Sequence, residues 1–337
     1  MKRFAWILAA VALTACSTKD DGGGSDTSTT GTAGGGGGGG GCANSIIDEF
    51  PANGSADAYY RTSVDFTLAT AEADATIVVK DSDGADVAGT NSVEDNRVVF
   101  KPTATLTPGA SYATTLDWSC GPTESTWTVD GSVGDPVTAD GVAGSTYTLD
   151  LASGRFVKPA GVGDLLGSLL EFSLFVGITA ADDTSLSMIG ALSDDSGVAQ
   201  DLCTETIDFP VAADFTENPY FVIESDRLPI EVEGFEIVIE GLTLSGAFSS
   251  GAASIEGVVL AGKIDTRPLV ELVSPGGGDD AVCTLVSTFQ VDCEACSDGS
   301  GDFCLSVYVE DMSAPSAGGL VVEPRTAEQI ADDPTCP

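Results

Sequence analysis

No histidine occurs among the 337 residues. That removes the imidazole base, and with it Ser-His catalysis, Cys-His catalysis and the common His-based zinc sites. Basic side chains are also scarce: 13 Lys plus Arg face 52 Asp plus Glu, a formal charge of −39. A chain so acidic repels polyanions, which excludes nucleic acid as a partner and argues against an electrostatically held anionic lipid surface. No apolar run approaches the roughly twenty residues that a membrane-spanning helix needs. What is present is a 42% apolar composition. That is too apolar for a disordered acidic tail, so at least one packed core is expected, and the length suggests about two domains.

Lys2 and Arg3 precede an apolar run from Phe4 to Leu13, and the segment closes with Leu13-Thr14-Ala15-Cys16. The run is too short to span a bilayer and right for a secretory h-region. The closing tetrad resembles the lipobox of bacterial lipoproteins. That resemblance implies a signal peptide over residues 1–15 and acylation of Cys16 with palmitate-like chains, two or three of which anchor stably where one would not. Ser17 and Thr18 follow, with no Asp directly after the cysteine. By the enteric sorting rule this implies anchoring at the cell outer membrane, on its periplasmic face or at the surface. Maturation would leave 52 acidic side chains against 11 basic ones, a charge of −41.

From Ser17 to Gly41 the residues are Gly, Ser, Thr, Asp, Ala and one Lys, ending in the glycine run Gly34 to Gly41. Nothing there can pack, and residues 16–41 read as a lipidated tether with a reach of roughly 25–30 Å. Phosphate-cradling loops are Gly-rich too, but they join a strand to a helix. Neither element flanks this run.

Beyond Cys16 stand eight cysteines: Cys42, Cys120, Cys203, Cys283, Cys293, Cys296, Cys304 and Cys336. An even number in an exported chain predicts disulfides. Cys293-x-x-Cys296 with Cys304 nearby has the look of a metal knuckle, but export and the missing histidines favour staples. Cys296–Cys304 is the favoured local bond, around Ser297-Asp298-Gly299-Ser300-Gly301; the remaining connectivity in this half stays open.

Residues 42–130 read as short strands between turns: Ile46 to Phe50, Val64 to Leu68, Ala75 to Lys80, Arg97 to Pro102, Ser111 to Ser119 and Ser125 to Val129. Val64-Asp65-Phe66-Thr67-Leu68 alternates as a half-buried strand does. Seven or so strands without a helical period predict a small Greek-key sandwich. Phe50-Pro51-Ala52-Asn53-Gly54, Val64-Asp65-Phe66, Asp83-Gly84 and Val99-Phe100-Lys101-Pro102 with Leu106-Thr107-Pro108-Gly109 and Tyr112 carry a family resemblance. The stretch resembles the SbsA-like bacterial Ig-like domains of surface-layer and adhesin proteins. The resemblance implies a spacer or interaction module without enzymatic activity. In such a sandwich the start of the first strand and the end of the sixth share a pole, which implies a Cys42–Cys120 bond.

Gly131 to Asp140 reads as a linker, and residues 141–337 as a second, larger antiparallel β sandwich or barrel of eight to ten strands. Two local segments read as helices: Val162 to Leu170 and Asp279 to Phe289. The chain as a whole is therefore expected to be all-β.

Carboxylates are the one abundant reactive group. Glu231, Glu233, Glu236 and Glu240 stand out, but their alternation with Ile230 and Val232 suits the wet face of a hairpin turning near Gly234. A catalytic pair would need an apolar pocket to raise one pKa. Asp-rich loops at Asp81 to Asp86, Asp182-Asp183, Asp194-Asp195 and Asp279-Asp280 invite calcium, yet none has EF-hand spacing and turn chemistry accounts for them. No cofactor is expected, with calcium kept as the alternative. The expected function is structural or adhesive, with surface proteins or glycans as partners beside the membrane anchor. An apolar ligand held inside the second domain is the alternative.

Overall fold

The computed structural model describes residues 42–160, 173–194, 196–232 and 235–336. The expected signal peptide, Cys16, the tether and the helix expected at Val162 to Leu170 lie outside the described residues.

Seven strands build an N-terminal sandwich. One sheet runs in the order β1 (Ile46–Phe50), β2 (Val64–Leu68), β5 (Arg97–Pro102) and β4 (Gly89–Glu94). The facing sheet holds β3 (Thr76–Lys80), β6 (Ser111–Asp117) and β7 (Thr123–Thr128). That division is the constant-type immunoglobulin order. Alternation sets the inner face: Ile77 and Val79 of β3 are buried while Thr76, Val78 and Lys80 are exposed. Tyr112 stacks on Trp127 with ring centroids 5.0 Å apart. The Tyr112 hydroxyl accepts the Thr107 N–H at 2.9 Å, a tyrosine corner that closes the turn around Pro108-Gly109. Trp127 Nε1–H donates to Thr114 Oγ1 at 2.9 Å, so neither buried polar group is left unmet.

The second half is one ten-stranded antiparallel sheet curled into a half-barrel. Its strands are β8 (Thr146–Leu149), β9 (Arg155–Lys158), β10 (Leu174–Ala181), β11 (Ser185–Leu192), β12 (Ile207–Asp208) and β13 (Ala213–Asp214). Four long strands follow: β14 (Tyr220–Val232), β15 (Phe235–Phe248), β16 (Ser254–Asp265) and β17 (Cys304–Pro315). The order is β8-β10-β11-β13-β14-β15-β16-β17-β9, with β12 also on β11. The curl brings its ends together: Tyr147 of β8 bridges Ser316 just past β17, and Ala317 N–H donates to the Thr146 carbonyl at 2.8 Å. The concave side is filled. Phe248 lies 5.4–5.8 Å from the rings of Tyr147, Phe215 and Phe221, all nearly inaccessible.

Four short helices are described: α1 (Ala139–Val142), α2 (Val270–Val273), α3 (Ala281–Ser287) and α4 (Ala327–Ala331). Of these, α3 falls on the segment expected to be helical. Helix α1 begins inside the stretch read as a linker, capped by Thr138. That stretch is held down: Ser250 N–H donates to the Ser132 carbonyl at 2.7 Å, and Asn218 exchanges two hydrogen bonds with the Val137 backbone at 2.8 and 2.9 Å. Residues Asn44–Pro337 accordingly form one compact unit.

Candidate functional site

Where β1, β2 and β5 of the sandwich face β9 and β17 of the half-barrel, five ionic side chains meet. Arg155 clamps Asp65 with two parallel bonds, Nη2 to Oδ1 at 2.6 Å and Nη1 to Oδ2 at 2.9 Å. The same guanidinium reaches Glu310 at 2.8 Å and Asp48 at 3.0 Å. Arg97 donates to Asp65 at 2.6 Å and lies 3.4 Å from Glu310. Asp65 is completely buried and Glu310 is 6% exposed. Val64-Asp65-Phe66 is thus not a half-buried strand: both faces are covered, because the polar face of β2 receives the two guanidinium groups. Burial opposes the charge on Arg97 and Arg155, but hydrogen bonds and charge from Asp65 outweigh it and hold both above the usual arginine range. For Glu310 burial prevails over the two arginines and pushes its carboxyl up.

Two β-bulges build this interface. Leu260 pairs with Val309 and Val258 with Met312, so Glu310 and Asp311 together oppose Val259. The extra residue turns both carboxylates away from the filled interior, where Val309 and Met312 point. Asp311 takes the left-handed conformation, φ 59°. Desolvation where the two halves meet, then the charges of Asp57 and Glu310, push its carboxyl up to about 6, although the residue itself stays exposed. The second bulge lies at Gly257, φ +58°, where any Cβ would fall 2.2 Å from the Tyr59 ring. A glycine is required there for the sandwich to seat its Tyr59 on β16. Arg61 completes the junction, lying 4.0 Å over the Tyr220 ring and ion-paired with Glu217.

Beside this lock the two halves leave a cleft of about 710 Å³, with a neighbouring one of about 550 Å³ across Arg97 and Lys158. The larger is floored by Thr243, Ser245, Val259, Ala261, Val307 and Tyr308, on the convex face of the half-barrel. Its charged lining is mixed, Arg61, Arg97, Lys101 and Lys158 beside Glu94, Glu310 and Asp311. The hydroxyl of Tyr59, a residue 9% exposed, is buried there without a hydrogen-bond partner among the described residues, as are the Nε atoms of Arg61 and Arg97.

The residues singled out by sequence disperse. Glu236 is exposed and pairs with Arg227 at 3.0 Å, both side chains 58% exposed. Glu240 accepts the Ser297 N–H at 2.9 Å, while the side chains of Glu231 and Glu233 lie outside the described residues. The strands do form the expected hairpin, with Val232 opposite Phe235. The Asp loops spend their carboxylates on turns: Asp81 accepts from the backbones of Asp83 and Ala85 at 3.0 and 2.9 Å. Asp182 is held at about 2 by hydrogen bonds from Thr184 and Ser185, and Asp194 takes the Ser196 N–H at 3.0 Å. Among the described residues no group of three or more Cys, Asp or Glu is arranged to hold a metal.

Cys296 bonds Cys304, Cys283 bonds Cys293, and Cys203 reaches Cys336 across 133 residues. Cys42 and Cys120 are disulfide-bonded as well. The eight cysteines beyond Cys16 therefore offer no thiol nucleophile.

Fold and cleft together define an all-β, disulfide-stapled protein whose immunoglobulin-type sandwich is ion-locked to a filled half-barrel. No protein-family model matches the chain, and no curated protein matches it. Among solved structures, Mycobacterium tuberculosis L,D-transpeptidase 1 aligns with 8% identity and a TM-score of 0.24, over 62% of this chain and 80% of that one. A likeness at that level carries no argument about activity.

Proposed function

We propose that this protein is a non-enzymatic lipoprotein of the outer membrane, held by acyl chains on Cys16 and serving a structural or adhesive role. The observation that carries the reading is the ion lock. It joins the sandwich to the half-barrel, so that the Gly-rich segment ahead of them would present a two-part body held as one. Chemistry is disfavoured by the same inventory: no imidazole exists in the chain, and the cysteines beyond Cys16 are in disulfides. The interior of the half-barrel is occupied by its own side chains, which favours adhesion over storage of an apolar ligand. Leu13-Thr14-Ala15-Cys16 supports the anchor.

The test is metabolic labelling with an alkyne-bearing palmitate in a diderm bacterial host, followed by separation of inner and outer membranes. The wild-type chain should carry label and sediment with outer membranes, and Cys16→Ser should lose both. An unlabelled wild-type chain recovered in the soluble fraction would overturn the assignment.

A further inference from the structure

Ten basic side chains fall among the described residues. Eight of them hold an acidic partner within 4 Å: Arg61, Lys80, Arg97, Arg155, Arg227, Lys263, Arg267 and Arg325. In a chain with 52 carboxylate side chains that is the expected fate of a cation. The two without such a pair, Lys101 and Lys158, line the same cleft. They reach it from opposite halves, Lys101 from β5 of the sandwich and Lys158 from β9 of the half-barrel. Glu94, Glu310 and Asp311 line the cleft as well, but Glu310 is engaged by Arg97 and Arg155, which leaves the two lysines as the cleft's cations for an anionic occupant.

The rest of the lining narrows its chemistry. The volume of about 710 Å³ is that of a ligand site. Its floor is the face of a sheet, whose backbone groups are already spent on the ladders between β14 and β17. A peptide laid there would find no strand edge to pair with. What the floor offers instead is side-chain hydroxyls, Thr243, Ser245 and Ser306, with the rings of Tyr59, Tyr220 and Tyr308 around them. Hydroxyl donors and acceptors beside the Tyr308 side chain suit a saccharide.

We infer that this cleft binds an acidic saccharide, its carboxylate held between Lys101 and Lys158. The inference rests on the adhesive reading above and specifies what is gripped. Screening limits the repulsion from the rest of the protein to about 8 Å at physiological salt, so a short-range pair of ammonium groups can prevail.

The experiment is calorimetric titration of the full chain with an oligogalacturonate, a neutral galactose oligomer of equal length and an oligoglutamate. The oligogalacturonate should bind at least tenfold more tightly than either of the others. Lys101→Gln and Lys158→Gln should each weaken it on the order of fivefold, and the pair roughly twenty-five-fold if they act independently. Lys80→Gln, which removes a cation paired with Asp86 outside the cleft, should change nothing. Both cleft lysines are exposed, so unchanged melting temperatures will certify the folded variants; if Gln disturbs either site, Lys→Met serves in its place. No binding at millimolar oligogalacturonate, equal binding of the neutral oligomer, equal binding of oligoglutamate, or indifference to both lysine substitutions would each overturn the inference. Palmitate labelling at Cys16 is read independently, so failure here leaves the anchor standing.

Discussion

Replacing Arg155 with Met tests whether the ion lock holds the two halves together. The substitution keeps the apolar stem and deletes four hydrogen bonds. One of them, to Asp48, engages a side chain that is 54% exposed and contributes at most a few tenths of a kcal/mol. The others serve Asp65, completely buried, and Glu310, 8% exposed at its side chain. After the change Asp65 retains its side-chain bond to Arg97, and Glu310 the 3.4 Å contact with the same side chain and its bond to Tyr308. Removing one partner from a buried ion pair costs about 3–5 kcal/mol, because the survivor keeps its desolvation penalty without its neutralising charge. At about 2–4 °C per kcal/mol for a unit of this size, the melting temperature should fall by about 6–20 °C. Urea denaturation and calorimetry measure this directly. Arg227→Met, which breaks the exposed pair with Glu236, is the reference and should cost about 1 kcal/mol or less. A double-mutant cycle with Asp65→Asn should show a coupling of at least about 1 kcal/mol. An Arg155→Met loss as small as that of Arg227→Met would refute the lock.

Three further outcomes follow from the same geometry. The Asp311 carboxyl titrates at about 6 in the folded protein, above the roughly 3.9 of an unfolded Asp. The folded state therefore binds the extra proton, and this contribution to stability is full below about pH 4 and lost as pH rises through 6. Asp311→Asn should shrink the difference in melting temperature between pH 4 and pH 7, and an unchanged difference would contradict the raised carboxyl. Gly257→Ala places a Cβ 2.2 Å from the Tyr59 ring at φ +58°. About 1–2 kcal/mol for the left-handed backbone and about 1–3 for overpacking should appear as lost stability in denaturant. Breaking the 133-residue Cys203–Cys336 loop with paired Ala substitutions should cost up to about 5 kcal/mol by loop entropy, measurable by the same unfolding curves.

Much of the β architecture was legible because apolar residues alternate wherever one face of a strand meets a core. Ile77 and Val79 announce β3. Four strands escaped for identifiable reasons, Ala213–Asp214 because it is only two residues long. Gly89–Glu94 is an edge strand exposed along nearly its whole length, so no burial pattern marks it. Arg155–Lys158 is four residues long. Cys304–Pro315 has its period of two broken by the bulge at Glu310 and Asp311. The short Cys296–Cys304 closure could be read from spacing; the Cys203–Cys336 bond could not, since it depends on where the C-terminal segment lies. The lock itself was hidden. Asp65 sits where an alternating strand places a solvent-facing residue, and only the docking of a second sheet makes that face an interior. Its partners Arg97, Arg155 and Glu310 are separated by up to 213 residues. The scarcity of cations was the available signal, since few basic residues must each be placed with purpose.

The Cys203–Cys336 bond also governs how the molecule survives cutting. It encloses β14 to β17, the longest strands described, and the two smaller disulfide loops lie inside it. The stretch at 275–280 is exposed on the outside of this ring, where a protease would reach it first. A single cleavage there opens the ring without releasing a piece: both pieces stay joined through the Cys203–Cys336 bond, and the ladder between β16 and β17 stays hydrogen-bonded. Such a protein can be nicked and remain whole until it is reduced.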